Sequence, residues 1–324
     1  MAEPDDPSRS IPPSPEGAVV RPGFVRALIA QLRIHQWAKN ALVVVPVLLA
    51  PGVPSNRVIA HALLAALTFS FCASAGYVLN DLLDLEADRA HPTKRHRPFA
   101  SGALPVSVGP ALFVALLVAS FGPALAVLPR GFAAMLAIYF GGTLAYSLYF
   151  KRQLLLDVLV LAGLYTHRIL AGGVATSIPI SQWLLAFSVF LFLSLAFAKR
   201  HVEIAPLGAD QRIKNRNYGK SDLSIVESMG TASGYLGALV FTLYVENGAH
   251  GGAYKSPAML WAAAPVLLYW ISRIWVLTSR GEMNDDPVRF ALTDRVSLVC
   301  GAVVALIAAV ARFAEPSALS ILGG

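Results

Sequence analysis

Charged residues and cysteines are scarce in this sequence. Asp, Glu, Lys and Arg make up only 14% of its 324 residues, whereas 56% are hydrophobic, so the chain is too apolar for an ordinary soluble domain. Its two cysteines, Cys72 and Cys300, lie within apolar runs, which implies neither a disulfide framework nor a zinc site. The first residues also lack the basic-then-apolar order of a signal peptide.

Long apolar runs are abundant instead, and several approach the ~20 residues that span a bilayer. They predict an all-α polytopic membrane protein with nine transmembrane helices, at residues 40–55, 58–80, 106–128, 131–150, 154–176, 181–198, 229–246, 258–278 and 295–313. The proline-rich residues 1–22 are predicted to be a disordered tail. Residues 23–324 are predicted to form one membrane-embedded domain, which begins with an amphipathic segment at the headgroup level, anchored by Trp37.

The basic residues predict the orientation. Of the 26 lysines and arginines, 21 fall on one side of the predicted helices and only Arg57, Arg130, Lys255 and Arg312 on the other. The positive-inside rule places the N-terminus and the charged loops in the cytoplasm, and nine helices place the C-terminus outside. Because the bases lie in loops between apolar runs, the formal charge of +7 indicates topology and anionic substrates and not a nucleic-acid partner.

An acidic stretch follows the second apolar run. If that helix continues, Asn80, Asp84 and Asp88 stand at i, i+4 and i+8 with their oxygens on one face, while Asp81 and Glu86 point elsewhere. Mg²⁺ takes few protein carboxylates and keeps waters and substrate phosphates, so the pattern predicts a metal and phosphate site. A solvated loop is the alternative. The position at the membrane boundary, where an unpaired carboxylate is costly, favours function.

Basic residues near this stretch are candidates for holding phosphates. Lys94, Arg95 and Arg97 follow the acids closely, and arginine can form paired hydrogen bonds with phosphate oxygens; topology signals and lipid contacts are the alternatives. Arg168 lies well inside an apolar run, so it is expected to face the bundle interior and meet an anion or a carboxylate. Asp157 is one candidate for that carboxylate.

Two further groups border the charged loops. Tyr149 and Lys151 close the fourth run, where such residues usually act as interfacial anchors. For Lys199 and Glu203, the alternative to a role in the site is a simple ion pair within a helix. Their loop, however, leaves the membrane on the same side as the acidic stretch. The two loops could therefore close over one cavity.

These residues resemble the UbiA-type intramembrane prenyltransferases. The pattern N-D-x-x-D-x-x-x-D from Asn80 to Asp88 matches the first aspartate-rich motif of that superfamily. A closer likeness is to its decaprenyl-phosphate phosphoribosyltransferase branch, through the segments 36–40, 91–95, 179–183 and 199–203. The resemblance implies a nine-helix UbiA-like bundle with cytoplasmic active-site loops in the bacterial inner membrane.

The resemblance also implies an activity: transfer of 5-phosphoribose from phosphoribosyl diphosphate to a decaprenyl-type polyprenyl phosphate, a step toward cell-wall arabinan precursors. Mg²⁺ would be held by Asn80, Asp84 and Asp88, with Lys199 and Arg200 as further catalytic candidates. Membrane lipids are expected partners, and a homo-oligomer is left open. The candidates for binding the anions, the ribose or their surroundings are Lys39, Asp81, Lys94, Arg95, Arg97, Tyr149, Lys151, Asp157, Arg168, Glu203 and Tyr218.

One departure from the superfamily pattern keeps alternatives open. Typical aromatic prenyltransferases of this kind carry a second D-x-x-x-D after the sixth helix, whereas this chain has Lys199, Arg200 and Glu203 there. The replacement of the second acidic motif by these residues suits a donor other than a prenyl diphosphate, as in the phosphoribosyltransferase branch. A prenyl diphosphate transferase acting on an aromatic or other acceptor is the alternative enzyme, and a lipid transporter or lipid-binding protein without chemistry is the alternative of another class.

Overall fold

A computed structural model describes residues 23–50, 52–213, 216–249, 254–283 and 286–314; the predicted tail lies outside them. The described chain is helical. Its α-helices are α1 Phe24–Leu32, α2 Val45–Leu49, α3 Asn56–Leu83, α4 Leu85–Arg89, α5 Val108–Ala126, α6 Arg130–Leu148, α7 Leu156–Thr176, α8 Gln182–Ile204, α9 Leu223–Asn247, α10 Ala263–Ser279, α11 Pro287–Thr293 and α12 Arg295–Phe313. Its 3₁₀ segments are Ile34–Val44, Lys94–His96, Phe150–Arg152, Lys220–Asp222 and Pro257–Ala262.

The all-α membrane architecture is confirmed, but the count of nine spans is not. Seven helices within the described ranges are long and apolar enough to cross a bilayer. The predicted run 40–55 is instead the end of a 3₁₀ segment followed by the five-residue α2. The run 229–246 falls in α9, which has 25 residues but is not among the seven. Its glycine, serine and threonine residues reduce its hydropathy.

Several helices begin at residues whose side chains cap the exposed backbone N–H groups. Ser55 accepts a hydrogen bond from the N–H of Val58 at the start of α3, and Ser181 does the same for Leu184 at the start of α8. Asp294 caps α12 by accepting from the N–H of Ser297 at 2.8 Å. Such caps satisfy donors that a helix leaves unpaired, which explains where these helices start.

The N-terminal helical segment packs along α3 through a line of polar contacts. The Trp37 indole donates to Ser74 Oγ at 3.0 Å, and the Asn40 amide donates to Ser70 Oγ at 3.0 Å. Arg33, with φ of 52°, separates α1 from the 3₁₀ segment and reaches Asp81. Because Ser70, Ser74 and Asp81 share one face of α3, the segment is packed against protein. The expectation that Trp37 anchors it at the headgroup level stays a prediction.

The 3₁₀ segment also lies directly against the backbone of α7. A Cβ atom at Gly172 would stand 2.0 Å from the carbonyl oxygen of Val43, whereas one at Gly163 on the same helix would meet nothing within 4 Å. Only a residue without a side chain permits this approach.

Replacing Gly172 with alanine should therefore destabilise the protein. We expect a loss of about 1–3 kcal/mol of unfolding free energy, because the backbone of Val43 must move. Thermal unfolding in detergent measures it, with Gly163→Ala as the control that leaves the melting temperature unchanged or slightly raised. Equal melting temperatures for the two variants would contradict this packing.

The two ends of the bundle differ in character. At one end, the charged connections contact one another, as in the ion pairs of Lys39 with Asp286 and of Asp157 with Arg200. At the other end, Arg312 donates to the carbonyl oxygens of Ala50 and Gly52 at 2.7 and 2.8 Å. A cavity of about 440 Å³ near that second end is lined mainly by apolar side chains of α8, α9, α10 and α12. None of the candidate site residues lines it.

Candidate active site

The acidic stretch begins on α3 and continues with little interruption into α4. The N–H of Asp84 donates to the carbonyl of Asn80 at 2.9 Å, and the N–H of Asp88 donates to that of Asp84 at 2.8 Å. The side-chain amide nitrogen of Asn80 donates to Ser147 Oγ at 3.2 Å, which leaves the side-chain oxygen Oδ1 of Asn80 available. Asp84 is exposed, and its carboxylate has no partner in the part of the chain that the structure describes. These two residues thus present free oxygens.

Asp88 faces a different direction from the one predicted. It is buried, and Arg97 Nη1 lies 2.6 Å from its Oδ2 and 3.0 Å from Asp81 Oδ1. The expectation that Asp81 points away from Asp88 is therefore wrong. At 3.6 residues per turn, a spacing of seven residues falls only about 20° short of two turns, whereas a spacing of eight overshoots by about 80°. Asp88 thus shares a face with Asp81 more closely than with Asn80.

Asp81 connects the motif to the N-terminal segment. Arg33 Nη2 donates to its two oxygens at 2.7 and 2.9 Å, and Gln31 donates to Oδ2 at 2.9 Å. With Arg97 and Asp88, this makes a cluster of two acids and two arginines whose charges balance. Gln31 and Arg33 were not predicted, because their sequence shows only an amphipathic helix; the break at Arg33 directs its side chain to Asp81.

A second charged network joins α7, α8 and the loop after α8. Arg200 and Asp157 are fully buried, and Arg200 Nη2 lies 2.7 Å from Asp157 Oδ2, although the contact does not have hydrogen-bond alignment. Tyr218 Oη donates to Asp157 Oδ1 at 2.7 Å. Arg200 also pairs with Glu203, and Arg216 lies 3.4 Å from Glu203 and 3.6 Å from Asp157. Two acids again balance two arginines.

The network explains four predicted site residues as partners of one another: Asp157, Arg200, Glu203 and Tyr218. Burial and the hydrogen bond to Asp157 raise the pKa of Tyr218, so its phenol stays protonated and can donate to the carboxylate. The sequence missed Arg216, which lies in the middle of a polar loop with no distinguishing pattern. The arrangement fixes that loop against α7 and α8.

Arg168 faces the bundle interior, as predicted, but without a carboxylate among the described residues. Its Nε donates to Asn40 Oδ1 at 3.1 Å, Nη1 to the Leu164 carbonyl at 2.6 Å, and Nη2 to Tyr139 Oη at 3.0 Å. Asp157, the candidate partner, pairs with Arg200 instead. The guanidinium charge of Arg168 is therefore hydrogen-bonded but not neutralised by any acid in this part of the chain.

Two lysines lie within electrostatic reach of Asp286. Lys39 pairs with Asp286; burial lowers the pKa of Lys39, the Asp286 carboxylate opposes this, and Arg168 lies within electrostatic reach. Lys199 interacts over longer range with Glu203 and Tyr146 and, more weakly, with Lys39 and Asp286, but its ammonium has no hydrogen bond or ion pair with any residue in the described ranges. Asp286 was not predicted as a site residue, because it lies in a loop far along the chain from the acidic stretch.

The remaining candidates lie toward the surface of the charged end. Lys94 and Arg95 are exposed in the 3₁₀ turn after α4, and the exposed fraction of Tyr149 is 58%. Lys151 is partly buried, and no contact of its ammonium with another described residue is found. These side chains are available to a substrate phosphate or a lipid headgroup.

The donor set fits a hard cation that shares its ligands with a substrate. Within the described residues, no three His, Cys, Asp or Glu side chains form a metal-binding group, so a closed site made by protein alone is absent there. Mg²⁺ needs only one or two carboxylates when phosphates and waters complete its octahedron. The free oxygens of Asn80 and Asp84 meet that requirement, whereas Asp88 is paired with Arg97.

Comparisons with known proteins identify the family of the chain. The model of the UbiA prenyltransferase family matches residues 41–296. The decaprenyl-phosphate phosphoribosyltransferase of Mycobacterium tuberculosis is 32% identical over 309 residues, which are 92% of this chain and 99% of that enzyme. The nodulation protein NoeC of Azorhizobium caulinodans is 39% identical over 274 residues, 83% of this chain and 87% of that protein.

Two further similarities bear on length and fold. An uncharacterized protein, y4nM of Sinorhizobium fredii, is 39% identical over 286 residues, and this chain spans only 55% of its length. The UbiA homologue of Archaeoglobus fulgidus bound to GPP and Mg²⁺ superposes with a TM-score of 0.65, covering 87% of this chain and 97% of that one. At 16% identity, this likeness establishes the fold.

Proposed function

This chain belongs to the UbiA prenyltransferase family, and from that premise we propose that it transfers 5-phosphoribose from phosphoribosyl diphosphate to a polyprenyl phosphate. The products would be polyprenylphosphoryl-5-phosphoribose and diphosphate. As a multi-pass membrane transferase, the protein can place a lipid acceptor beside a water-soluble donor at the charged end of the bundle. We propose that this end faces the cytoplasm, as its basic residues predict.

The observation that carries the proposal is the charge of the site. The acidic motif presents free oxygens on Asn80 and Asp84, and two cations, Arg168 and Lys199, form no ion pair with any acid among the described residues. A prenyl diphosphate transferase of the resembled kind would have a second acidic motif after the helix that is α8 in this structure. This site offers bases there, which suits two substrates that each carry phosphate.

The chain's own residues would divide the work of binding. Asn80 and Asp84 would hold Mg²⁺, which would offset the charge that develops on the departing diphosphate. Lys94 and Arg95 would hold the phosphates of the donor. Lys199, with Lys39 and Arg168, would bind the phosphate of the lipid. That phosphate is already an anionic nucleophile, so its oxygen can attack the ribose C1 without a general base as the C1–O bond to diphosphate breaks.

Two observations support parts of this scheme. The M. tuberculosis relative named for this activity aligns with nearly its whole length. The A. fulgidus homologue was solved with Mg²⁺ together with a prenyl diphosphate, which supports a divalent metal. The same structure favours the alternative, a prenyl diphosphate transferase. A non-enzymatic transporter loses support, because the family is one of transferases.

Purified protein with Mg²⁺, phosphoribosyl diphosphate and a polyprenyl phosphate should release diphosphate and form a phosphoribosylated lipid. We expect no release without the lipid, because the nucleophile is then missing. Diphosphate assay and mass spectrometry of the lipid measure both products. Turnover of geranyl diphosphate with an aromatic acid, and none with the first pair, would replace this proposal with the alternative.

A further inference from the structure

Asp286 stands at the start of α11, where two contacts hold its carboxylate. Oδ1 accepts a hydrogen bond from the N–H of Arg289 at 3.2 Å, which caps the helix. Oδ2 pairs with Lys39 of the N-terminal segment. Each carboxylate oxygen can accept a further hydrogen bond, so both oxygens keep acceptor capacity for a ligand.

The carboxylate lies near groups from several separate elements. Besides Lys39, it acts electrostatically on Tyr77 of α3, Tyr165 of α7 and Lys199 of α8. Elements that are distant in sequence therefore lie within electrostatic reach of Asp286, and its partner Lys39 lies within reach of Arg168. Asp286 thus belongs to the charged end of the bundle and is not only a cap on an outlying loop.

A carboxylate at this position is unfavourable if the neighbouring cations bind only phosphate groups. Lys39, Lys199 and Arg168 attract anions, whereas Asp286 repels a phosphate placed beside it. The conflict disappears if the part of the substrate next to Asp286 is neutral and donates hydrogen bonds. Hydroxyl groups meet that description, and a charged acceptor makes such bonds stronger than a neutral one.

We propose that Asp286 accepts hydrogen bonds from the ribose hydroxyls of the donor and thereby selects a phosphoribosyl over a prenyl diphosphate. The inference rests on the proposed function. A prenyl diphosphate has no hydroxyl to offer, so the acceptor capacity that Lys39 and the N–H of Arg289 leave on the carboxylate would face an apolar chain. A site built to hydrogen-bond a substrate hydroxyl discriminates strongly against an analogue that lacks it.

The test compares donors that have and lack a ribose hydroxyl. In the wild type, removal of the 2-hydroxyl or the 3-hydroxyl from phosphoribosyl diphosphate should lower kcat/KM roughly ten- to a hundredfold, as expected for a hydrogen bond to a charged group. In Asp286→Ser, which keeps a capping residue but cannot reach as far, the same removal should change kcat/KM by less than about threefold. Comparison between variants cancels the intrinsic reactivity of the deoxy donors.

Asp294 provides the matched control. It also caps a helix, pairs with Arg273 at 2.6 Å and accepts from the N–H of Ser297, so Asp294→Ser should leave discrimination between the donors as in the wild type. If Asp286→Ser does not fold, Asp286→Asn, which preserves the cap and an acceptor without the charge, should show partial loss of discrimination.

The outcomes separate the two claims. Equal losses of kcat/KM for both donors in the Asp286 variants, with wild-type discrimination retained, would overturn this inference and leave the proposed function standing. A wild type that does not use phosphoribosyl diphosphate at all would overturn both. Loss of discrimination only in the Asp286 variants supports the role in ribose recognition.

Discussion

Asp84→Ala should reduce the transfer rate by about a hundredfold or more, while the protein folds as before. The carboxylate is exposed and has no partner in the described part of the chain, so its removal leaves no buried charge behind. Loss of one preorganised electrostatic group at a reacting centre typically lowers the rate by about 10²–10³. Stability should stay within about 0.5 kcal/mol of the wild type, as for other surface substitutions.

Two measurements distinguish the loss of a metal ligand at Asp84 from the general effect of removing a negative charge. Diphosphate release at saturating Mg²⁺ reports the rate, and Mn²⁺ binding followed by electron paramagnetic resonance reports the metal without turnover. Glu86→Ala is the control, because Glu86 is an exposed acid of the same stretch without a side-chain partner in the described ranges. If both variants bind Mn²⁺ like the wild type, Asp84 does not hold the metal.

Arg200→Ala should destabilise the protein by roughly 3–5 kcal/mol, the typical cost of removing one member of a buried ion pair. Both Arg200 and Asp157 are fully buried, so the variant leaves a carboxylate that keeps two neutral donors, Tyr218 Oη and the N–H of Val158, and one more distant cation, Arg216. A lower melting temperature in detergent, or loss of the folded protein, is the expected result.

Lys199→Ala is the matched comparison, because Lys199 is the adjacent base on the same helix. Its ammonium has no bonded partner among the residues described, so the melting temperature should change little, while kcat/KM falls by about ten- to a hundredfold through loss of a charged contact to phosphate. If instead Arg200→Ala melts like the wild type and only its kinetics change, Arg200 binds substrate and the network is not its main role.

Neighbouring residues thus acquire different roles from their surroundings. The family resemblance implies Lys199 and Arg200 together as catalytic candidates. The structure pairs Arg200 with Asp157 and Glu203 and leaves Lys199 without a bonded partner among those described. Nothing in the local sequence distinguishes the two, because the difference depends on which way each side chain leaves α8.

The acidic stretch shows the same limit within a single helix. Its existence follows from residue types and spacing, and the family match agrees with it. The direction of Asp88, however, depends on an angular offset that accumulates over two turns and on the position of Arg97, which a separate loop supplies. The metal set of Asn80, Asp84 and Asp88 therefore remains a prediction, in which Asp88 would first have to leave Arg97.

By itself, the sequence determined that this is a helical membrane protein with an acidic motif followed by bases, because apolar run length and motif spacing are local properties. Only the tertiary structure decided which charges are free. The pairs Arg33–Asp81, Lys39–Asp286 and Asp157–Arg200 join residues far apart in the chain. Which partners meet depends on how the helices pack, since burying a charge is stable only where an opposite charge is brought to it.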